Sequence, residues 1–204
     1  VGNYNGATAT ITGSTFHGNQ AAYGGAVLGY QNTTVVVANS AFSGNYARTW
    51  GGGLFSHGAS TFTVVNSTIA GNAAGTSGGG VYSHTNCQLT LRNSIVAINS
   101  AASMPDISGS FTTASSHNQI GGQPRFLRDP NDGGDGWHDN PATLDFDEST
   151  NNDYGDLRLR FDSPAINAGS NALAVGPDGN PLAFDVAGQP RIVYEVVDLG
   201  AHEF

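Results

Sequence analysis

The feature that most constrains this chain is a phrase repeated at nearly constant distance. "GGAVLGYQ" begins at Gly24, "GGGLFSHG" at Gly51 and "GGGVYSHT" at Gly78. A second phrase follows each copy: "NSAFSGN" (39–45), "NSTIAGN" (66–72) and "NSIVAIN" (93–99), with "GSTFHGN" (13–19) ahead of them. Superimposed, the four copies step by 26, 27 and 27 residues. A period in the 20–50 residue range means that each unit cannot bury its own apolar face and must stack on its neighbours.

The columns of the repeat say what stacks. Ala9, Val35, Phe62 and Leu89 align, as do Ile11, Val37, Val64 and Leu91 two places on. Phe16, Phe42, Ile69 and Val96 form a third apolar column, and Val27, Leu54 and Val81 a fourth. Between the first two lie Thr10, Val36, Thr63 and Thr90. Alternation with period two and β-branched enrichment indicate strands. We expect three short strands per coil, with Gly and Asn at the corners, where Asn tolerates left-handed geometry and stacked amides can bond along the axis. The fold expected is an all-β, right-handed parallel β-helix of about four coils, the hand following the rule for parallel crossovers.

Charge divides the chain. Residues 1–105 hold no Asp or Glu and only Arg48 and Arg92, whereas all 16 acids lie from Asp106 onward. The expected organisation is a neutral repeat region (1–105) and an acidic, irregular region (106–204) packed on the same solenoid and closing its last coil. A net charge of −9 with no lysine argues against nucleic acid. No apolar run approaches the ~20 residues of a membrane span. Cys87 aligns with Thr33 and Ser60 at an inward position, so a buried, inert thiol is expected.

The motifs also carry a resemblance. "GGAV" (24–27) with "FHGN" (16–19) and "FSGN" (42–45) resembles the paired repeats of polymorphic outer-membrane proteins, which are surface-displayed β-helix adhesins. "PDISGSF" (105–111), "DPNDGGDGWHDNPAT" (129–143), "NNDYGDLRL" (151–159), "SPAINAGSNA" (163–172) and "VDLGAHEF" (197–204) resemble the C-terminal part of bacterial choice-of-anchor β-helix surface proteins. The resemblance implies a secreted or bacterial cell-surface module and no particular reaction. Asn167 and Ser170 stand where that pattern carries carboxylates, which weakens the case for a metal in this loop.

Candidate sites follow from the columns. Hydrolysis needs paired carboxylates, and lyase chemistry usually needs acids for Ca²⁺ with a base. The coils supply no carboxylate, so no catalytic residue is assigned and a polysaccharide-cleaving function is the minor alternative. Tyr4, Tyr30, His57 and His84 form one outward column, Leu28, Phe55 and Tyr82 a second, and Tyr23 and Trp50 align ahead of the glycines. Tyr30, Trp50, Phe55, His57, Tyr82 and His84 are therefore the candidate ligand-binding ladder, suited to glycans or a partner's surface. The competing reading has the acidic region fold over this face. Asp129, Asp132, Asp135 and Asp139 recur every three or four residues in a Gly-rich loop and are candidate Ca²⁺ ligands, although the spacing fits no EF-hand. Trp137 is expected to pin this loop to the coils. "DLRLRF" (156–161) and "PRIVYEVVDLGAHEF" (190–204) read as strand-like. Val1 falls under Val27 and Tyr4 under Tyr30, so the chain opens partway through a coil. Val1, Asn3 and Tyr4 are the candidate self-assembly edge, for copies of this chain or an adjacent domain. The function expected is a non-enzymatic structural or adhesive module able to stack into fibres, with a carbohydrate-binding or polysaccharide-cleaving module as its alternative.

Overall fold

A computed structural model of the chain describes residues 1–134, 136–137 and 152–204. It is a parallel β solenoid whose coils each contribute one strand to each of four flat faces. Face one stacks Gly2–Tyr4, Val27–Tyr30, Leu54–His57, Val81–Ser83 and Ile107–Ser108. Face two stacks Thr8–Thr12, Thr34–Ala38, Thr61–Val65 and Gln88–Arg92. Face three stacks Thr15–His17, Ala41–Ser43, Thr68–Ala70, Ile95–Ala97 and Gln119–Ile120, and face four Gln20–Tyr23, Tyr46–Trp50, Ala73–Ser77 and Ser100–Ser103. The first three faces are those read from the repeat. The fourth is a correction to the expected three strands per coil. Its inward residues are small, Ala47 and Ala74 among them, so no bulky apolar column announces it.

The register is the one the columns imply. Phe62 pairs with Val35 and Leu89, Val64 with Val37 and Leu91, and Ile69 with Phe42 and Val96. These residues and Val27, Leu54 and Val81 fill one buried core along the axis. The composition break at 105 is not the end of the stack. Ile107 pairs with Val81 and Gln119 with Ile95, so residues 107–120 begin a fifth turn.

Three polar columns hold the corners. Asn39, Asn66 and Asn93 adopt φ of 53°, 42° and 49°. The column Asn19, Asn45, Asn72 and Asn99 plays a different part. Each amide Nδ2 donates to the next Oδ1, at 2.8, 2.8 and 3.0 Å, and Asn99 donates to Asp106 Oδ1 at 2.9 Å. Asp106 is the first acid of the chain, and its carboxylate ends a run of donors by only accepting. Here the preceding glycines take the left-handed geometry, except that Ile98 holds φ of 53° in the fourth coil. Ser40, Ser67 and Ser94 form the third column, each Oγ accepting the backbone N–H one coil back at 3.1–3.2 Å.

Within the acidic region, residues 107–120 lie over the last coil, whereas the described residues from Phe126 onward run along the flank and not over the end of the stack, which departs from the expected end cap. The physical reason is the outward side of face three, where Ala41, Ala70, Ile95 and Ala97 form an apolar strip. Phe126, Leu157, Leu159, Ala165, Leu199 and Ala201 bury it. Trp137 is 7 % exposed and, beside the ring of Tyr154, packs against the corner at Gly44. Of the strand-like runs, Asp156–Leu159 pairs antiparallel with Phe126–Arg128, while 190–204 is irregular. Its alternate residues Val197, Leu199 and Ala201 are nevertheless buried. Cys87 is half-buried, not buried. Thr33 and Ser60 join hydroxyls at 2.9 Å above it, but the fifth turn adds no strand on face two to close that column.

A buried cation locks this flank. Arg191 is fully enclosed, donating to the carbonyls of Asp198 (3.1 Å) and Gly200 (2.6 Å) and facing Glu203 at 3.7 Å. In the amide orientation that satisfies both groups, Asn66 Oδ1 accepts from Arg191 Nη2 at 2.8 Å, tying the lock to the coils. Asp185, Asp198 and Glu203 share this one guanidinium. Burial, then the Asp198 charge, pushes Glu203 up to about 7. Burial also raises Asp198 and lowers His202.

Two outcomes follow for stability. Asn72→Ala removes a fully buried amide bonded to Phe42 O, Ala70 O and Asn99, and should cost about 2–4 kcal/mol in urea unfolding. Glu203 is raised from 4.5 to about 7, so its contribution is complete below about 4.5 and is lost as pH rises through 7. Glu203→Gln should therefore stabilise the protein at pH 8.5, with little gain at pH 4.5, in thermal melts at both values.

Candidate functional site

The glycine pairs shape the site. Gly24, Gly51 and Gly78 take φ of 60°, 70° and 66°, and a Cβ on Gly25, Gly52 or Gly79 would lie 2.2–2.3 Å from a carbonyl oxygen. No side chain fits there, and the corner between faces four and one turns sharply enough to bring Trp50 beside Phe55 at 6.4 Å between near-parallel rings.

Outside that corner lies an open trough of about 400 Å³, lined by Tyr4, Tyr23, Leu28, Tyr30, Trp50, Phe55 and His57. Strand alternation puts Val27 and Gly29 inward and Leu28 and Tyr30 outward. One rail is Tyr4, Tyr30 and His57, with ring centroids 6.4 and 5.2 Å apart. The other is Tyr23 and Trp50, 5.5 Å apart. Leu28 and Phe55 are the floor. Phe55, at 3 % exposure, is covered by Tyr23, Tyr82 and His57 and supports these rings without itself presenting a surface. Tyr82 leans on Trp50 at 5.3 Å, and Ser77 takes Trp50's place one coil on, so the second rail stops there.

Of the six candidate ladder residues, Tyr30, Trp50, Phe55 and His57 line the trough, while Tyr82 and His84 stand at its end. Tyr4, first assigned to the edge, is part of the rail, and Tyr23 and Leu28 complete the lining. Asn3 points inward, donating to Ala7 O and Thr34 O, and Val1 N bonds Ala26 O at 2.6 Å. The strands of the first coil pair with the second coil alone among the described residues. The covering flank contacts face three and the corner asparagines, so among the described residues the trough is not under the acidic region.

The trough is electrically quiet. His57 and His84 have ring centroids 4.4 Å apart, and burial, then the neighbouring His84, lowers the His57 pKa below its ordinary value. No carboxylate, lysine or arginine is among the described lining residues. The hydroxyls of Tyr4, Tyr23 and Tyr30 make no hydrogen bond among the described residues, and neither does the Trp50 indole N–H.

The acidic loop lies elsewhere. Asp129 and Asp132 line a different groove with Gly71, Ile98, Ser100 and Trp137. Asp132 Oδ1 accepts the Gly134 N–H at 2.9 Å in a local turn. Asp135 and Asp139 lie outside the described residues. Among the described residues no three His, Cys, Asp or Glu side chains are grouped to hold a metal. Asn167 and Ser170 serve docking: Asn167 N donates to Asp198 Oδ1 at 2.6 Å, and Asn93 exchanges two hydrogen bonds of 2.9 Å with Ser170.

Residues 1–122 match the family description "Right handed beta helix region". The chain belongs to the right-handed β-helix family. That family holds both polysaccharide-cleaving enzymes and proteins without catalysis, so membership defines the scaffold and not the activity. Neither a curated protein nor a solved structure matches the β-helix. No helix among its described residues is long and apolar enough to cross a membrane.

The β-helix has two tryptophans with opposite surroundings. N-bromosuccinimide should oxidise Trp50 in the trough rapidly and spare Trp137, which is 7 % exposed. Absorbance loss at limiting reagent should vanish in Trp50→Phe and persist in Trp137→Phe.

Proposed function

We propose that this β-helix is a non-enzymatic adhesive module of a bacterial surface protein, and that it attaches by binding a glycan in the aromatic trough. The observation that carries the reading is the trough itself, an open set of rings with unbonded hydroxyls on a flank that the described residues of the acidic region leave free. Aromatic rings offer apolar contact to sugar faces, and phenol and indole groups offer hydrogen bonds at their rims. Cleavage is the weaker reading. A glycosidase needs two carboxylates astride the bond, and Asp129 and Asp132 border a separate groove. The surface location rests on the resemblance of the repeats and of the C-terminal phrases to secreted β-helix proteins.

Affinity electrophoresis through gels containing xylan, mannan, β-glucan or polygalacturonate tests it. The protein should be retarded by at least one, and Trp50→Ala should weaken that retardation about tenfold or more, since burying a large apolar side chain against a sugar face contributes about 1.5–3 kcal/mol. Unretarded migration in every gel, or equal retardation of Trp50→Ala, contradicts the proposal.

A further inference from the structure

Resting on the glycan reading above, we infer that the trough takes a linear, uncharged oligosaccharide lying parallel to the solenoid axis, about one sugar ring per coil over three coils. Direction comes from the topology. Both rails follow the stacking direction: Tyr4, Tyr30 and His57 belong to successive strands of face one, and Tyr23 and Trp50 to successive strands of face four. A trough walled on both sides in this way is open along the axis and closed across it. A ligand crossing the coils would meet a ring on either side.

Length comes from the same geometry. Successive coils sit ~4.8 Å apart, close to the length of one pyranose unit in a linear chain. The rail on face one offers a ring at three levels, from Tyr4 to His57, before Tyr82 closes against Trp50. Tyr4, Tyr30 and His57 therefore place a ring beside each of three successive units.

Charge complementarity decides the class. A uronate or sulfated chain would enter a site whose lining holds no arginine or lysine. The one basic lining group is His57, whose pKa is lowered by burial and then by His84, at 4.4 Å between centroids. An anion placed there would lose hydration without gaining a partner. The hydroxyls of Tyr4, Tyr23 and Tyr30 are suited to a neutral polyol, donating to and accepting from sugar hydroxyls.

Isothermal titration of the intact chain with cello-, xylo- and manno-oligosaccharides of one to six units, and with trigalacturonate, tests this. For at least one neutral series, affinity should climb steeply from one unit to three and then level off. Tyr4→Ala should move the plateau one unit shorter, and Tyr30→Phe, which keeps the ring, should weaken the trisaccharide about tenfold. Circular dichroism melts of both variants separate loss of contact from loss of fold. Equal affinity for one unit and three overturns the axial arrangement and leaves glycan binding standing. Tighter binding of trigalacturonate overturns the uncharged class. A protein retarded in the gels but indifferent to Tyr4→Ala and Tyr30→Phe binds its glycan elsewhere, which also overturns the inference. Silence toward every oligomer and every gel defeats both it and the glycan reading.

Discussion

Axial registration is the constraint on which the rest of this structure depends. Each coil must sit directly over the last, without sliding by a residue, or every inward side chain becomes an outward one. Backbone ladders alone do not prevent such a slip. The amide column from Asn19 to Asn99, closed by Asp106, does so because its side chains reach a partner at one register only. The buried polar column therefore acts as an alignment key, and breaking it leaves unsatisfied donors in a dry interior. The serine column repeats the same logic at the next corner. With register fixed, like residues become neighbours along the axis, and a sequence repeat becomes a surface repeat.

That conversion generates the site. Tyr4, Tyr30 and His57 are far apart in sequence and adjacent in space because each coil returns to the same face. The glycine corner adds the second rail, since no Cβ is tolerated at Gly25, Gly52 or Gly79 and the turn can be tight. Face three repeats the principle with small residues, and its alanines form a strip for the C-terminal region to cover. One flank of the solenoid is thus committed to internal packing, and another is left open with aromatic rings by the described residues. Arg191 holds the committed flank, and three carboxylates around one buried guanidinium make its grip pH-dependent.

The parts legible in the sequence were those in which the repeat carries large side chains. Faces one, two and three were read from Val27, Val35, Ile69 and their column mates, and the outward ladder from Tyr30 and His57. Face four was missed because alanine in the lumen leaves no hydrophobic periodicity. The path of the residues from Phe126 onward is hidden for a related reason. The alanine strip on face three accommodates a close-packed backbone, yet its small side chains do not stand out in the sequence as the aromatic ladder does. The strand-like run 190–204 illustrates the limit of local pattern, because its alternate residues are buried without a neighbouring strand to pair with. Arg191 was silent in the sequence, since nothing local distinguishes a buried arginine from an exposed one. Cys87 shares an inward column, but its exposure depends on a fifth turn that adds no strand above it.

Hydrogen exchange of the protein in the presence and absence of a neutral trisaccharide tests the account most directly. Exchange should slow only in the stretches that build the trough, residues 1–6, 20–31 and 46–58, with the covered flank around 157–165 and 191–204 unchanged. Protection centred on that flank, or on residues 129–137 instead, would contradict it.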